Sequence, residues 1–275
     1  DGHAHRLAVA LAVRRHLKEP AEPIPVHTRT WTRGHIWVAI RATGAPGDGR
    51  APARRPLDRL APGTVKPCGH HRSSMTAGDG PPSRPPTLDD PIDFAGTRLR
   101  NRLYRAPLLE CAGNGPDAVD RLIADLEPAA AAGAGLIHQG ATIVREEGGC
   151  AAPEMTRVHD PDFVADLARL TDAVHAHGSR IAIQLEHGGL RSMEVWHDGY
   201  RRATPDLHQL AVSRPPRVLR VLDRLGFLDL SPRVMETGDV ERLAADFGRA
   251  AARAVDAGYD AVHIAGANMG LVQQF

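Results

Sequence analysis

The chain has 275 residues, 42% of them hydrophobic and 24% charged, with a formal net charge of +1. That length allows one large or two ordinary domains, and that composition can bury a core. No apolar run approaches the ~18 residues of a membrane span, so no membrane partner is expected.

Leu7 to Val13 is apolar but is followed at once by Arg14 and Arg15, which makes a poor signal segment. Cys68, Cys111 and Cys150 are widely spaced and odd in number. They describe no disulfide framework, and a reduced, cytoplasmic setting is the expectation. Cys68 stands near His70 and His71, but no second ligand pair follows at zinc spacing, so no metal is expected. Charge is unevenly spread. Through Ser74, thirteen Lys and Arg stand against five Asp and Glu; from Met75 onward there are twenty-one against twenty-eight. Such a split fits a basic nucleic-acid arm on an acidic enzyme. The basic part lacks the aromatic platforms that single strands need, so no nucleic-acid partner is expected.

Residues 1–86 show no sustained period of 2 or 3.6 and hold twelve of the twenty-two prolines. They are read as a disordered or spurious extension, with Met75 as a candidate true start. Order begins near Pro91. Ile92, Phe94 and Leu99 around Ala95-Gly96 predict a small hairpin, and Arg102 to Ala106 a short strand stopped by Pro107. Asn114-Gly-Pro-Asp opens a helix whose inner face is Val119, Leu122, Ile123 and Leu126, with Gly133 ending it. Gly135 to His138 is a buried strand, followed by a polar loop through Gly149. Asp160-Pro161 caps and starts a second helix carrying Phe163, Leu167, Leu170 and Val174 at helical spacing, ended by Gly178.

Arg180 to Leu185 is the next strand. An amide, Gln184, sits inside its apolar run, and a buried amide needs a partner that answers both a donor and an acceptor. The longest connection then runs about fifty residues to Glu236 and has the length of a lid or binding loop. A last helix spans about Asp239 to Val255, Gly258 stops it, and Asp260 to Ile264 forms a fourth strand. Consecutive βα units imply parallel pairing, either in a doubly wound sheet or in the first half of an eight-stranded TIM (β/α)8 barrel.

Asn101-Arg-Leu-Tyr-Arg-Ala-Pro107, Ala132 to Ile137, Val174-His-Ala-His-Gly178, Ile183-Gln-Leu-Glu-His-Gly-Gly189, Asp256-Ala-Gly-Tyr-Asp260 and Gln274-Phe275 resemble, in order and spacing, the old yellow enzyme or NADH:flavin oxidoreductase family. The resemblance covers about 87–275. It implies a TIM barrel with FMN at the mouth formed by the strand C-termini. NADH or NADPH would be the reductant and an electron-poor, unsaturated small molecule the acceptor. It further implies cofactor contacts at Ala106, Pro107 and Leu108 on the first-strand segment, at Ala141 after the second strand, and at Gln184 on the flavin's pyrimidine edge. His187 matches the family's histidine, for which a structural hydrogen bond and a catalytic role both stand open.

The chain departs from the family at several places. Leu109 stands where cysteine or threonine often tunes the flavin. The paired substrate anchors become Ala265 and Asn268, leaving Asn268 as the one donor, and the usual tyrosine acid is Gly270. Glu110, Cys111, Asn114, His138 and His263 are further polar residues near strand ends. Only the first four or so βα units can be placed, so the sequence reads as the N-terminal half of a barrel, truncated at residue 275, with two open sheet edges. Two other readings follow: a non-catalytic half-barrel that needs a partner, a homo-oligomer among them, or a flavin-free βα-barrel lyase or isomerase.

Overall fold

The computed structural model describes the backbone of residues 26–31 and 35–40 and, in full, residues 84–94, 96–230 and 232–275. Met75 and the Cys68 to His71 cluster lie outside the described residues. Contacts divide the chain into two units, residues 1–42 with 88–275, and residues 43–87.

In chain order, β1 (Val26–Trp31) and β2 (His35–Ile40) are followed by a small hairpin of β3 (Ile92–Phe94) and β4 (Thr97–Leu99). Next come β5 (Tyr104–Arg105), α1 (Ala118–Ala131), β6 (Leu136–Ile143), β7 (Thr156–Arg157), α2 (Pro161–Ala176) and β8 (Arg180–Glu186). The long connection holds α3 (Met193–Trp196), α4 (Asp198–Ala203), β9 (Leu210–Ala211), α5 (Arg217–Arg224) and β10 (Arg233–Val234). α6 (Thr237–Asp256) and β11 (Ala261–Ala265) complete the order.

β5, β6, β8 and β11 lie side by side, all parallel and in sequence order. These are four consecutive βα units of a (β/α)8 barrel. The helices form because each repeats an apolar residue every three or four positions. In α2 these are Phe163, Leu167, Leu170 and Val174, and Asp160 caps it by accepting the Asp162 N–H at 3.0 Å. Glycines 133, 178 and 258, expected to stop the three main helices, stand at φ of +100°, +71° and +91°. One core joins the helices to the strand faces beneath them: Leu122 and Leu126, Leu167 and Leu170, and Phe247 are all fully buried. Each such side chain contributes about 1.5–3 kcal/mol by leaving water.

Two expectations need correcting. The strand placed at 135–138 runs on to Ile143, buried throughout, because its polar side chains are answered inside the protein. And β1 and β2 stand within the stretch read as carrying no element. Valine, threonine and tryptophan in β1, and isoleucine, tryptophan and valine in β2, suit strands. The partner that orders them is distant in sequence: β2 pairs antiparallel with β11, from Ala39 opposite Ala261 to His35 opposite Ala265. One of the two edges expected to be open is therefore paired, leaving β5 as the terminal strand on the other side.

Candidate functional site

Side chains along β6, β8 and β11 alternate between two environments, as a strand requires. Ile137, Ile181, Ile183, Leu185, Val262 and Ile264 join the helix-side core. On the other face, Leu136, Ala182 and Ala261 pack with Leu99, Ile92 and Phe94, so the β3–β4 hairpin plugs the N-terminal end of the strands. One step further along comes a polar layer of His138, Gln184 and His263.

In this layer Gln184 Nε2 donates to His263 Nδ1 at 3.0 Å, and His138 Nε2 lies 3.2 Å from the same nitrogen. The two imidazoles are buried, with ring centroids 4.9 Å apart. An amide nitrogen can only donate, so His263 Nδ1 is the acceptor of the Gln184 bond. Gln184 is only half-buried, and among the described residues its Oε1 has no hydrogen-bond partner. The adjoining buried amide, Gln139, behaves differently: it donates to Thr142 Oγ1 at 3.2 Å and accepts from the Tyr259 hydroxyl. One amide is thus satisfied by protein at both ends, and the other keeps an acceptor with no hydrogen-bond partner among the described residues.

Beside Gln184, in register on β6, is Ala141. A bulge between Gln139 and Ala141 interrupts the ladder at Gly140. The segment after β5 crosses there so closely that a Cβ on Gly140 would lie 1.2 Å from the Leu108 carbonyl oxygen. Glu110 fastens the crossing. Its Oε2 accepts the Gly140 N–H at 2.8 Å, and its Oε1 pairs with Arg105 Nη1 at 2.7 Å. Arg105 also reaches the His138 carbonyl at 3.2 Å and Asp125 at 2.8 Å. These contacts place Ala106 and Leu108, both exposed, and half-buried Pro107 at the C-terminal end of the sheet.

The loops after β8 and β11 meet at the same end, with Leu271 N–H donating to the His187 carbonyl at 2.8 Å. His187 is wholly occupied. Its Nε2 donates to the Glu147 carbonyl at 3.0 Å and its Nδ1 accepts the Gly189 N–H at 3.3 Å. Burial lowers its pKa to about 3, which keeps the ring neutral. That assigns His187 the structural role, pinning one loop to another. Glu186 is buried against Arg191, and burial raises its pKa despite that cation. Neither described thiol is a ready nucleophile: burial pushes Cys150 up to about 11, and burial with Glu110 and Glu154 nearby raises Cys111. Among the described residues no cluster of His, Cys, Asp or Glu could hold a metal ion.

The structure therefore gathers Ala106, Pro107, Leu108, Ala141 and Gln184 around the end of β6 and β8. Asn268 is exposed in the turn beyond β11 at φ +56°, and among the described residues no hydrogen bond joins it to these five. Sequence reasoning passed over Gly140 and Arg105. A glycine inside a strand was the available signal for the first. Nothing local marks Arg105, because its partners lie 5, 20 and 33 residues away.

The model of the NADH:flavin oxidoreductase / NADH oxidase family matches residues 87–275. The chain belongs to that family. It is 31% identical over 180 residues to NADH:fumarate oxidoreductase of Klebsiella pneumoniae (strain 342), covering 66% of this chain and 18% of the relative. It is 31% identical over 181 residues to NADPH dehydrogenase of Listeria monocytogenes serotype 4a, covering 64% and 47%. Among solved structures it is similar to morphinone reductase, with a TM-score of 0.52 and 28% identity over 68% of this chain and 49% of that one. Old yellow enzyme from Pichia sp. AKU4542, at 21% identity and a TM-score of 0.52, shares the fold over 64% of this chain and 45% of that one. The chain spans less than half the length of these relatives. FMN is the cofactor of the family, with NADH or NADPH as reductant.

Proposed function

We propose that this chain supplies the pyrimidine-edge wall of an FMN-dependent oxidoreductase, which passes hydride from NADH or NADPH to an electron-poor, unsaturated small molecule. The observation that carries the reading is the half-buried Gln184 amide, held by His263 through its nitrogen and presenting an unanswered oxygen. A flavin's pyrimidine edge alternates N–H and carbonyl and so meets an amide on the amide's own terms. The residues around Gln184 fit such a group. Gly140 and Ala141 carry no bulk, and the Ala106 to Leu108 backbone lies across Gly140, leaving main chain available to a flat ring.

When bound, the flavin supplies hydride acceptance and donation, and the protein's share is to bind, orient and tune it. Here His263 sets which way round the Gln184 amide points, His138 backs His263, and Glu110 holds the crossing segment in place. Leu109 has no hydrogen bond to offer. Asn268 is the polar group available beyond β11 to meet an acceptor. Gly270 has no proton to give, so protonation of a reduced alkene falls to a group other than residue 270. The test is to incubate the folded chain with FMN, separate it by gel filtration and record its visible absorption. Coelution of flavin colour that bleaches with NADH or NADPH supports the reading; a colourless protein peak contradicts it.

A further inference from the structure

We propose that helix α5, in the long connection after β8, is a surface element that docks on an anionic phospholipid bilayer. Val218, Val221 and Leu225 recur at positions i, i+3 and i+7 and form one stripe, and all three face solvent with Phe227 just beyond them. Their exposures are 64%, 50%, 65% and 73%. No residue of the helix is buried. A contiguous apolar stripe left in water marks an interaction surface.

Arginines run beside it. Arg217 and Arg224, each one residue before a member of the stripe, are exposed, and Arg214 and Arg220 stand close by. Among the described residues none of these four is in an ion pair, although Asp223 is their neighbour. Its Oδ1 is engaged by the Leu230 N–H at 2.8 Å. Arg214, Arg220, Asp223 and Arg224 line an open recess of about 330 Å³, and the buried Arg220 Nε has no hydrogen-bond partner.

Apolar side chains on one side of a helix with arginines along its margin match a helix lying in a membrane interface, where the chains dip below the headgroups and the guanidiniums stay among the phosphates. The stripe stands out from a convex helix, which favours a deformable medium over a protein with a preformed groove. The unpaired arginines favour anionic lipid, and a guanidinium recess suits a phosphate group. No helix among the described residues is long and apolar enough to cross a membrane, so the contact is peripheral.

Cosedimentation of the 275-residue chain with phosphatidylcholine vesicles, and with vesicles that also contain phosphatidylglycerol, tests this. Binding should be about ten-fold stronger or more on the anionic vesicles and should weaken in high salt. Val218→Asp with Leu225→Asp should abolish it, and Arg220→Gln with Arg224→Gln should weaken it about ten-fold. Tyr104→Ser, on an exposed residue of the β5 edge, should leave it unchanged. Val218, Leu225, Arg224 and Tyr104 are exposed and Arg220 is half-buried, and unaltered circular dichroism verifies that each variant folds. Absent or lipid-independent binding overturns the proposal, as does equal binding by the Val218/Leu225 variant. So does loss of binding through Tyr104. If the Val218/Leu225 variant instead converts a dimer to a monomer, the stripe is a contact between copies and the proposal falls.

Discussion

Gly140 carries a role that its composition alone would not suggest. Any β-carbon there collides with the Leu108 carbonyl oxygen and approaches Glu110 Oε2 at 2.5 Å. Both are parts of the segment laid across the sheet end, so Gly140→Ala must push that segment away. The expected cost is at least the ~1–3 kcal/mol of an overpacked interior, read as a lower urea midpoint. His187 gives a second prediction at this scale. The folded chain keeps its ring neutral down to about pH 3, whereas an unfolded ring takes its proton near 6.5. Acidification through that window therefore favours unfolding, by about 1.4 kcal/mol per pH unit. Glu186 and Glu194 work in the opposite sense, because burial raises both and the folded state holds their protons more tightly as pH falls. In His187→Gln the amide keeps a donor and an acceptor but takes up no proton. Urea midpoints measured across the window should fall about one proton's worth less steeply in the variant than in the parent; coincident slopes would contradict a neutral, buried His187.

Among the elements, the three long helices and the strands at β5, β8 and β11 were legible because periodicity and punctuation agree. Asp160 with Pro161, and the glycines after each helix, are local signals that tertiary structure does not override. Asp160 also accepts from Asn114 Nδ2 at 3.2 Å, which ties the loop after β5 to the start of α2. Asp160→Ala should thus destabilise the chain by about 0.5–2 kcal/mol, the range for a lost N-cap, and thermal denaturation measures it. What stayed hidden depends on distant partners. The second half of β6 looked like a polar loop because Gln139 and Thr142 break its apolar run. Yet Tyr259 and Thr156 answer them from elsewhere in the chain, with Thr142 and Thr156 hydroxyls 2.9 Å apart. β1 and β2 likewise draw on β11, far along the chain. The small helices of the long connection were not resolved from sequence, where proline and arginine obscure short periods.

For the whole molecule, the fold agrees with the family to which the chain belongs, while the residues at and beyond the end of β11 depart from what the resemblance implied. Where the resemblance implied paired anchors and an acid, the chain has Ala265, an exposed Asn268 and Gly270. The proposed cofactor wall is better furnished: a crossing segment clamped by Glu110 and Arg105, a strand bulge without bulk, and one amide whose oxygen has no hydrogen-bond partner among the described residues. Its polar layer was partly legible, since Gln184, His138 and His263 each stood out as polar in apolar strands. Their contact was not, because it depends on three strands brought into register. The most direct test is to titrate FMN into the parent chain and into Gln184→Leu, following quenching of flavin fluorescence. A lost hydrogen bond of about 0.5–1.5 kcal/mol should weaken the variant's binding several-fold to about ten-fold, with its denaturation midpoint little changed. Equal FMN affinity for the two proteins, or free-flavin fluorescence with both, would contradict the assignment of this wall to the flavin.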